Sequence, residues 1–199
     1  MADDIHPTLH PTSTRAAGGG FVLWLTGLSG SGKTSISYLV GPQLEQRGHL
    51  VEYLDGDVVR THLAKGLGFS REDRDTNIER IGWVAARLAR HGAAVIVSAI
   101  SPYADTRARA RAAVEEFSPF VEVHIDASVE ECARRDVKGL YAKAFAGEIK
   151  EFTGVSDPYE APEHPELVVN TEAIPPEASA RRVIARLEEL AVIPAGVEA

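Results

Sequence analysis

The sequence predicts a three-layer α/β domain: a mainly parallel, five-stranded sheet with helices on both faces. Three observations predict it. Short β-branched runs alternate with longer stretches of helical spacing from residue 21 to residue 191, and parallel strands need such crossovers. A segment fitting G-x-x-x-x-G-K-[ST], Gly27-Leu28-Ser29-Gly30-Ser31-Gly32-Lys33-Thr34, joins the first apolar run to the first helical stretch. Charged and hydroxyl residues follow the later runs, at the strand ends where open parallel sheets carry their ligands.

Each element follows from its own residues. Phe21-Val22-Leu23-Trp24-Leu25-Thr26 reads as a buried strand, and Ile36, Leu39, Val40 and Leu44 mark a helix over about 33–47. Leu50–Leu54 is the second strand, followed by a helix over about 57–65. The helix over about 74–91 carries an apolar stripe of Ile78, Ile81, Val84 or Ala85, and Leu88. Strands at Ala94–Ser98 and Val121–Ile125 alternate with helices over about 103–117 and 128–135. Leu167–Val169 is the last strand; Val183, Ile184, Leu187 and Leu190 form a core-packing stripe on a final helix, about 177–191. Residues 1–20, poor in large apolar side chains and ending in three glycines, predict a flexible tail. His6 and His10 in it read as solvent-exposed, not as metal ligands. Residues 21–199 are then one domain, which 199 residues at 44% hydrophobic content can support.

Composition removes several function classes. A formal net charge of −8 argues against a nucleic-acid partner, which calls for a surplus of Lys and Arg. No apolar stretch approaches the ~20 residues of a membrane span. Asp3 and Asp4 stand where a signal peptide needs positive charge, so the cytoplasm is expected. The single cysteine, Cys132, excludes an internal disulfide and a cysteine metal cluster; it reads as a buried small residue.

The chemistry starts at the glycine-rich loop. Gly27 through Ser35 form the expected nucleotide-binding set, with backbone N–H groups wrapping phosphates at a helix N-terminus. Lys33 would reach the β- and γ-phosphates of ATP and the Thr34 hydroxyl would ligate Mg²⁺. This defines the P-loop nucleoside-triphosphate hydrolase/kinase fold. Asp55-Gly56-Asp57, after the second strand, offers two carboxylates for metal-water coordination and activation of a hydroxyl. Asp57 also reads as a helix N-cap. The strand Ala94–Val97 ends in Ser98-Ala99-Ile100-Ser101 without the acid many P-loop ATPases carry there, so the task falls to Asp55 and Asp57 and favours a kinase of small acceptors.

The apolar stripe of the helix over 74–91 turns polar at Arg74 and Asn77, as an anion pocket requires; a solvated first turn is the competing reading. Arg60 is a second cation candidate, and Phe69 reads either as a stacking platform or as core. Arg134, Arg135, Lys138, Lys143 and Lys150, on a segment carrying Gly139, Gly147 and Gly154, suit a lid over about 134–157 that closes on phosphates. An exposed helical hairpin is the alternative there.

Together these motifs resemble the adenylylsulfate kinase family from about residue 20 onward. The match runs through Gly27–Thr34, Leu54–Arg60, Leu67–Ser70 with Arg74 and Asn77, and Ile100–Tyr103. It continues in Arg135–Tyr141, Ile149–Gly154 and Asp157–Pro162. The resemblance implies transfer of the γ-phosphate of ATP, with Mg²⁺, to the 3′-hydroxyl of adenylylsulfate. It makes Asp57 the base and Mg²⁺-water ligand, supported by Asp55, and has Arg60, Arg74 and Asn77 hold the acceptor's phosphosulfate. Phe69 and Phe152 would sandwich its adenine, with Ile100, Ser101, Lys138, Gly139 and Leu140 lining the pocket and Arg135 on the nucleotide side. Ser101 stands where some members carry a phosphorylatable serine. The resemblance also implies a homodimer, and 199 residues leave no room for a fused sulfurylase domain, so a free-standing kinase is expected. Val137, where proline is common, and Ala99, where a bulkier residue is frequent, depart from the family pattern and bear on lid stiffness and pocket shape. A related P-loop kinase of another small acceptor is the alternative within the fold, and a nucleotide-dependent regulatory module the alternative outside enzymes.

Overall fold

A computed structural model describes residues 19–196. The predicted tail up to residue 18, with His6 and His10, lies outside the described residues. In chain order the elements are β1 Phe21–Thr26, α1 Lys33–Glu45, β2 Leu50–Asp55, α2 Gly56–His62, α3 Arg71–Arg90 and β3 Ala93–Ser98. They continue with α4 Ala104–Glu115, β4 Phe120–Asp126, α5 Val129–Arg135, α6 Leu140–Phe145, β5 Leu167–Asn170 and α7 Pro176–Glu189. The sheet is parallel throughout, in the order β2-β3-β1-β4-β5.

Strand β1 is buried along its whole length, and its alternation divides its side chains between two cores. Phe21, Leu23 and Leu25 pack with Ile36, Val40 and Leu44 of α1 and Val183, Ile184 and Leu187 of α7. Val22 and Trp24 pack on the other face with Ile78, Ile81 and Ala85 of α3 and Ala110 and Val114 of α4. This is the three-layer arrangement expected. The chain leaves β1 for β2 on one side and later places β4 on the other, so β1 marks the switch point where a ligand crevice opens.

The differences from the sequence reading have local causes. Gly20 is not part of a floppy tail: it is buried, and a Cβ there would lie 2.0 Å from the Ala89 carbonyl oxygen. Helix α3 starts one turn early, because the Ser70 hydroxyl accepts from Asp73 N at 3.2 Å and caps it. Helix α6 has six residues, too few to display a period. On α7, Leu190 is 36% exposed at the C-cap, and Ile193 joins the core beyond the helix.

Candidate active site

The phosphate loop leaves β1 and enters α1 through Gly32, whose φ of 106 is a conformation that side chains other than glycine resist. Lys33 is buried, and its ammonium donates to the carbonyls of Gly27 at 2.9 Å and Leu28 at 2.7 Å. Burial lowers its pKa to about 8, with Cys132, Asp55 and Asp57 opposing the shift. The lysine thus bridges the loop it is expected to serve. A triphosphate would offer it oxygens in exchange for those carbonyls.

At the end of β2, Asp55 has both carboxylate oxygens engaged. Oδ2 accepts from the Thr34 hydroxyl at 2.9 Å, and Oδ1 accepts from Asp57 N at 3.0 Å. Asp55 is therefore the N-cap of α2, the role the sequence reading offered to Asp57. That leaves the Asp57 carboxylate facing outward, where it pairs with Lys138; both side chains are more than half exposed. Among the described residues no three His, Cys, Asp or Glu side chains form a metal site on their own. Thr34, Asp55 and Asp57 still offer hard oxygen donors, an incomplete set of the kind that suits Mg²⁺ carried with phosphates and water.

These groups line a cavity of about 1260 Å³. Its phosphate end is built from Ser29, Gly30, Gly32, Lys33, Thr34 and Ser35. Gly27, Leu28 and Ser31, the other residues of the loop, lie outside its lining. Arg135 braces that end: it donates to Gly30 O at 3.2 Å, Ser31 O at 3.3 Å and Thr171 O at 2.9 Å. Thr171, whose hydroxyl donates to Ser31 O at 2.8 Å, lies just past β5, a position the strand-end rule points to.

The other end gathers Arg60, Phe69, Arg74, Asn77 and Phe152. Arg74 and Asn77 are buried, which excludes a solvated first turn of α3. Arg74 donates to Phe69 O and to Thr153 Oγ1, each at 2.7 Å, and to Glu151 O. Three of the five N–H donors of a guanidinium are so engaged and two remain. Arg60 lies 4.3 Å from the centre of the Phe69 ring and donates to Gly68 O at 3.0 Å. Phe69 is 58% exposed, so it is not core. Phe152 meets Tyr141 edge-on at 4.9 Å. The Asn77 Oδ1 and Ser98 Oγ atoms are buried without partners and belong to residues lining the cavity. Ser98 carries no functional mark in the sequence; it stands in register with Asp55, at the strand end where many P-loop ATPases carry an acid.

Ile100, Ser101, Lys138 and Leu140 also line the cavity, whereas Gly139, Lys143 and Lys150 do not. Gly139 instead turns the chain into α6 at φ 64. Ser101 is buried, and its hydroxyl accepts from Trp24 Nε1 at 3.1 Å and donates to Thr26 Oγ1 at 2.9 Å. Tyr141, which closes the Arg135–Tyr141 motif but has no role assigned from sequence, donates from its hydroxyl to Ser29 O at 2.9 Å and so ties α6 to the phosphate loop.

A phosphate loop, a carboxylate pair at the next strand end and a cation-lined acceptor side define a P-loop kinase of small acceptors. The pattern of the adenylylsulphate kinase family matches residues 19–170. The chain is 54% identical over 171 residues to the adenylyl-sulfate kinase of Rippkaea orientalis, covering 86% of this chain and 93% of that one. It is 54% identical over 175 residues to a probable bifunctional SAT/APS kinase of Sorangium cellulosum, covering 88% of this chain but 30% of that longer protein. Among solved structures, the Mycobacterium tuberculosis APS kinase CysC in complex with AMPPNP and APS superposes with a TM-score of 0.83 at 45% identity, covering 86% of this chain and 99% of that one. The chain belongs to the adenylylsulphate kinase family. No helix among the described residues is long and apolar enough to cross a membrane.

Proposed function

We propose that this protein transfers the γ-phosphate of ATP to the 3′-hydroxyl of adenylylsulfate, giving 3′-phosphoadenylylsulfate and ADP. The observation that carries the reading is the position of Asp57 in one cavity, between a phosphate loop and an acceptor end lined by Arg60, Arg74 and Asn77. The cavity volume, about 1260 Å³, exceeds the ~300–1,000 Å³ of a single small-ligand site and suits two nucleotides.

In this reading Asp57 accepts the proton of the 3′-hydroxyl as its oxygen attacks the γ-phosphorus in line. Lys33 leaves the Gly27 and Leu28 carbonyls for the β- and γ-phosphates. Thr34, with Asp55 and Asp57 acting through water, would hold Mg²⁺, which supplies charge neutralisation on the phosphates when bound. Arg60 and the free donors of Arg74 take the acceptor's anionic groups, while Phe69 and Phe152 flank its base. Lys138 exchanges Asp57 for substrate oxygens as residues of about 134–157 close as a lid. Closure excludes water and so suppresses ATP hydrolysis.

ADP release measured with ATP and adenylylsulfate, against AMP, shikimate and gluconate as alternative acceptors, tests the reading. Adenylylsulfate is expected to be strongly preferred; equal or better turnover with another acceptor overturns it. The proposed assembly is a homodimer, which sedimentation equilibrium checks directly, and the proposed compartment is the cytoplasm.

A further inference from the structure

Arg107 of α4 is 3% exposed and lies outside the cavity lining, so the chemistry above gives it no ligand to touch. Its guanidinium nevertheless joins three parts of the chain. Nε donates to Glu122 Oε1 on β4 at 2.8 Å, Nη1 to Ser101 O at 2.8 Å and Nη2 to Glu160 O at 2.7 Å. Glu122 is buried as well, so the two charges compensate where either alone would be costly. The carbonyls belong to the strap after β3 and to the segment 157–162. These are also linked by Glu160 N to Pro102 O at 2.8 Å and by Ala104 N to Glu160 Oε2 at 2.7 Å.

Ser101 is held in an unusual state. Its φ is 43, a value non-glycine residues keep only where the surroundings enforce it. Trp24 and Thr26 fix its side chain from one direction, and Arg107 fixes its carbonyl from the other. Ile100, Ser101 and Pro102 form part of the cavity wall. The strap leads to the α3 end of the cavity: Tyr103 donates to Asp157 Oδ2 at 2.9 Å, and the Arg71 guanidinium lies 4.1 Å from the Tyr103 ring centre.

We propose that Arg107 is a positioning residue for the acceptor, holding the Ile100–Pro102 wall in its receiving geometry through the carbonyls of Ser101 and Glu160. The planar fork of arginine reaches three acceptors in three directions, which one lysine ammonium on a shorter, differently shaped stem does not reproduce. The phosphate loop has its own braces in Arg135 and Thr171, neither of which Arg107 touches, so the defect is expected to fall on the acceptor.

The inference rests on the adenylylsulfate reading, and steady-state kinetics with both substrates separates the two. Arg107→Lys is expected to raise KM for adenylylsulfate about tenfold, as misplacement of a binding wall does, and to leave KM for ATP within about twofold. Glu122→Gln keeps an acceptor for Nε; it is the milder variant if Arg107→Lys does not fold, and an acceptor-selective rise of about threefold is expected from it. Loss of folded protein alone would lower kcat without separating the two KM values. Wild-type protein without acceptor-dependent ADP release would overturn the underlying reading and this inference with it. Active wild type, with a folded variant whose two KM values are both unchanged or rise by the same factor, overturns the role of Arg107 alone.

Discussion

Asp57 and Lys33 carry the sharpest consequences at the scale of single residues. Replacing Asp57 by Asn keeps the shape but removes the proton acceptor, and kcat is expected to fall at least ~10²-fold. The pair with Lys138 is exposed on both sides and contributes little to folding, so the thermal midpoint should hold while turnover drops. Near-normal turnover by that variant would place the base elsewhere. Lys33 makes a pH prediction. Its folded value of about 8 lies below the 10.5 of an ordinary lysine, so between those values the unfolded chain binds more protons. The contribution of this group to ligand-free stability therefore grows as pH rises through that window. Phosphate binding runs the opposite way, because above about pH 8 the ammonium must regain a proton before it can meet phosphate. KM for ATP should climb from pH 8 towards ~9.5 while KM for the acceptor stays level. A flat ATP profile across that range would contradict the assignment.

At the scale of elements, α3 links packing to the site, since Ile81 and Ala85 face the sheet while Arg74 and Asn77 face the cavity. Its neighbour α4 comes close at Gly82, where a Cβ would lie 2.9 Å from Ala110 Cβ and 3.1 Å from Ala110 Cα. Gly82→Val should push the helices apart and cost about 1–3 kcal/mol, seen as a lower urea midpoint at constant m-value. An unchanged midpoint would mean that the crossing is more yielding than its contacts indicate. The elements most legible in the sequence were those whose burial sets a period. The apolar β1 and β3, and the stripe of α3 continuing back to Asn77 and Arg74, were read from spacing alone. The Ser70 cap was legible in principle, as Ser followed three residues later by an acid, but the apolar period overshadowed it. Alternating arginines on α4 concealed Arg107: Arg107, Arg109 and Arg111 look alike in sequence, and Arg111 also reaches Glu122, at 3.5 Å, so only burial in the folded chain tells Arg107 from its neighbours. Likewise a hydroxyl such as Ser98 carries no mark of being unpartnered until the strands are set in register.

The whole molecule divides mechanically into a sheet-based frame and a thin cover. The frame holds the phosphate loop between two cores, whereas α6 is a six-residue helix whose first amides, Tyr141 N and Ala142 N, donate to the Asp136 carboxylate at 3.0 and 3.1 Å. The Tyr141 ring is buried in one cluster with Leu28 and Cys132, and two polar ties add to that packing: the Tyr141 hydroxyl on Ser29 O at 2.9 Å, and Lys138 on Asp57. The second is exposed and weak, so the first should set how often the cover opens. Burial raises the Tyr141 hydroxyl pKa well above the usual tyrosine value, so it remains a donor throughout the working pH range. Tyr141→Phe keeps the ring against Phe152 and deletes only the tie. The amides of Leu140–Phe145 should then exchange with deuterium faster, by about fivefold if the bond contributes its usual ~1 kcal/mol, while those of β1 keep their rates. A non-hydrolysable ATP analogue together with adenylylsulfate should slow exchange in the same helix in both proteins, because the ligands supply contacts the tyrosine no longer makes. Equal exchange of α6 in variant and wild type would show that its docking depends on packing of the Tyr141 ring, and the hydroxyl would have no part in closing the site.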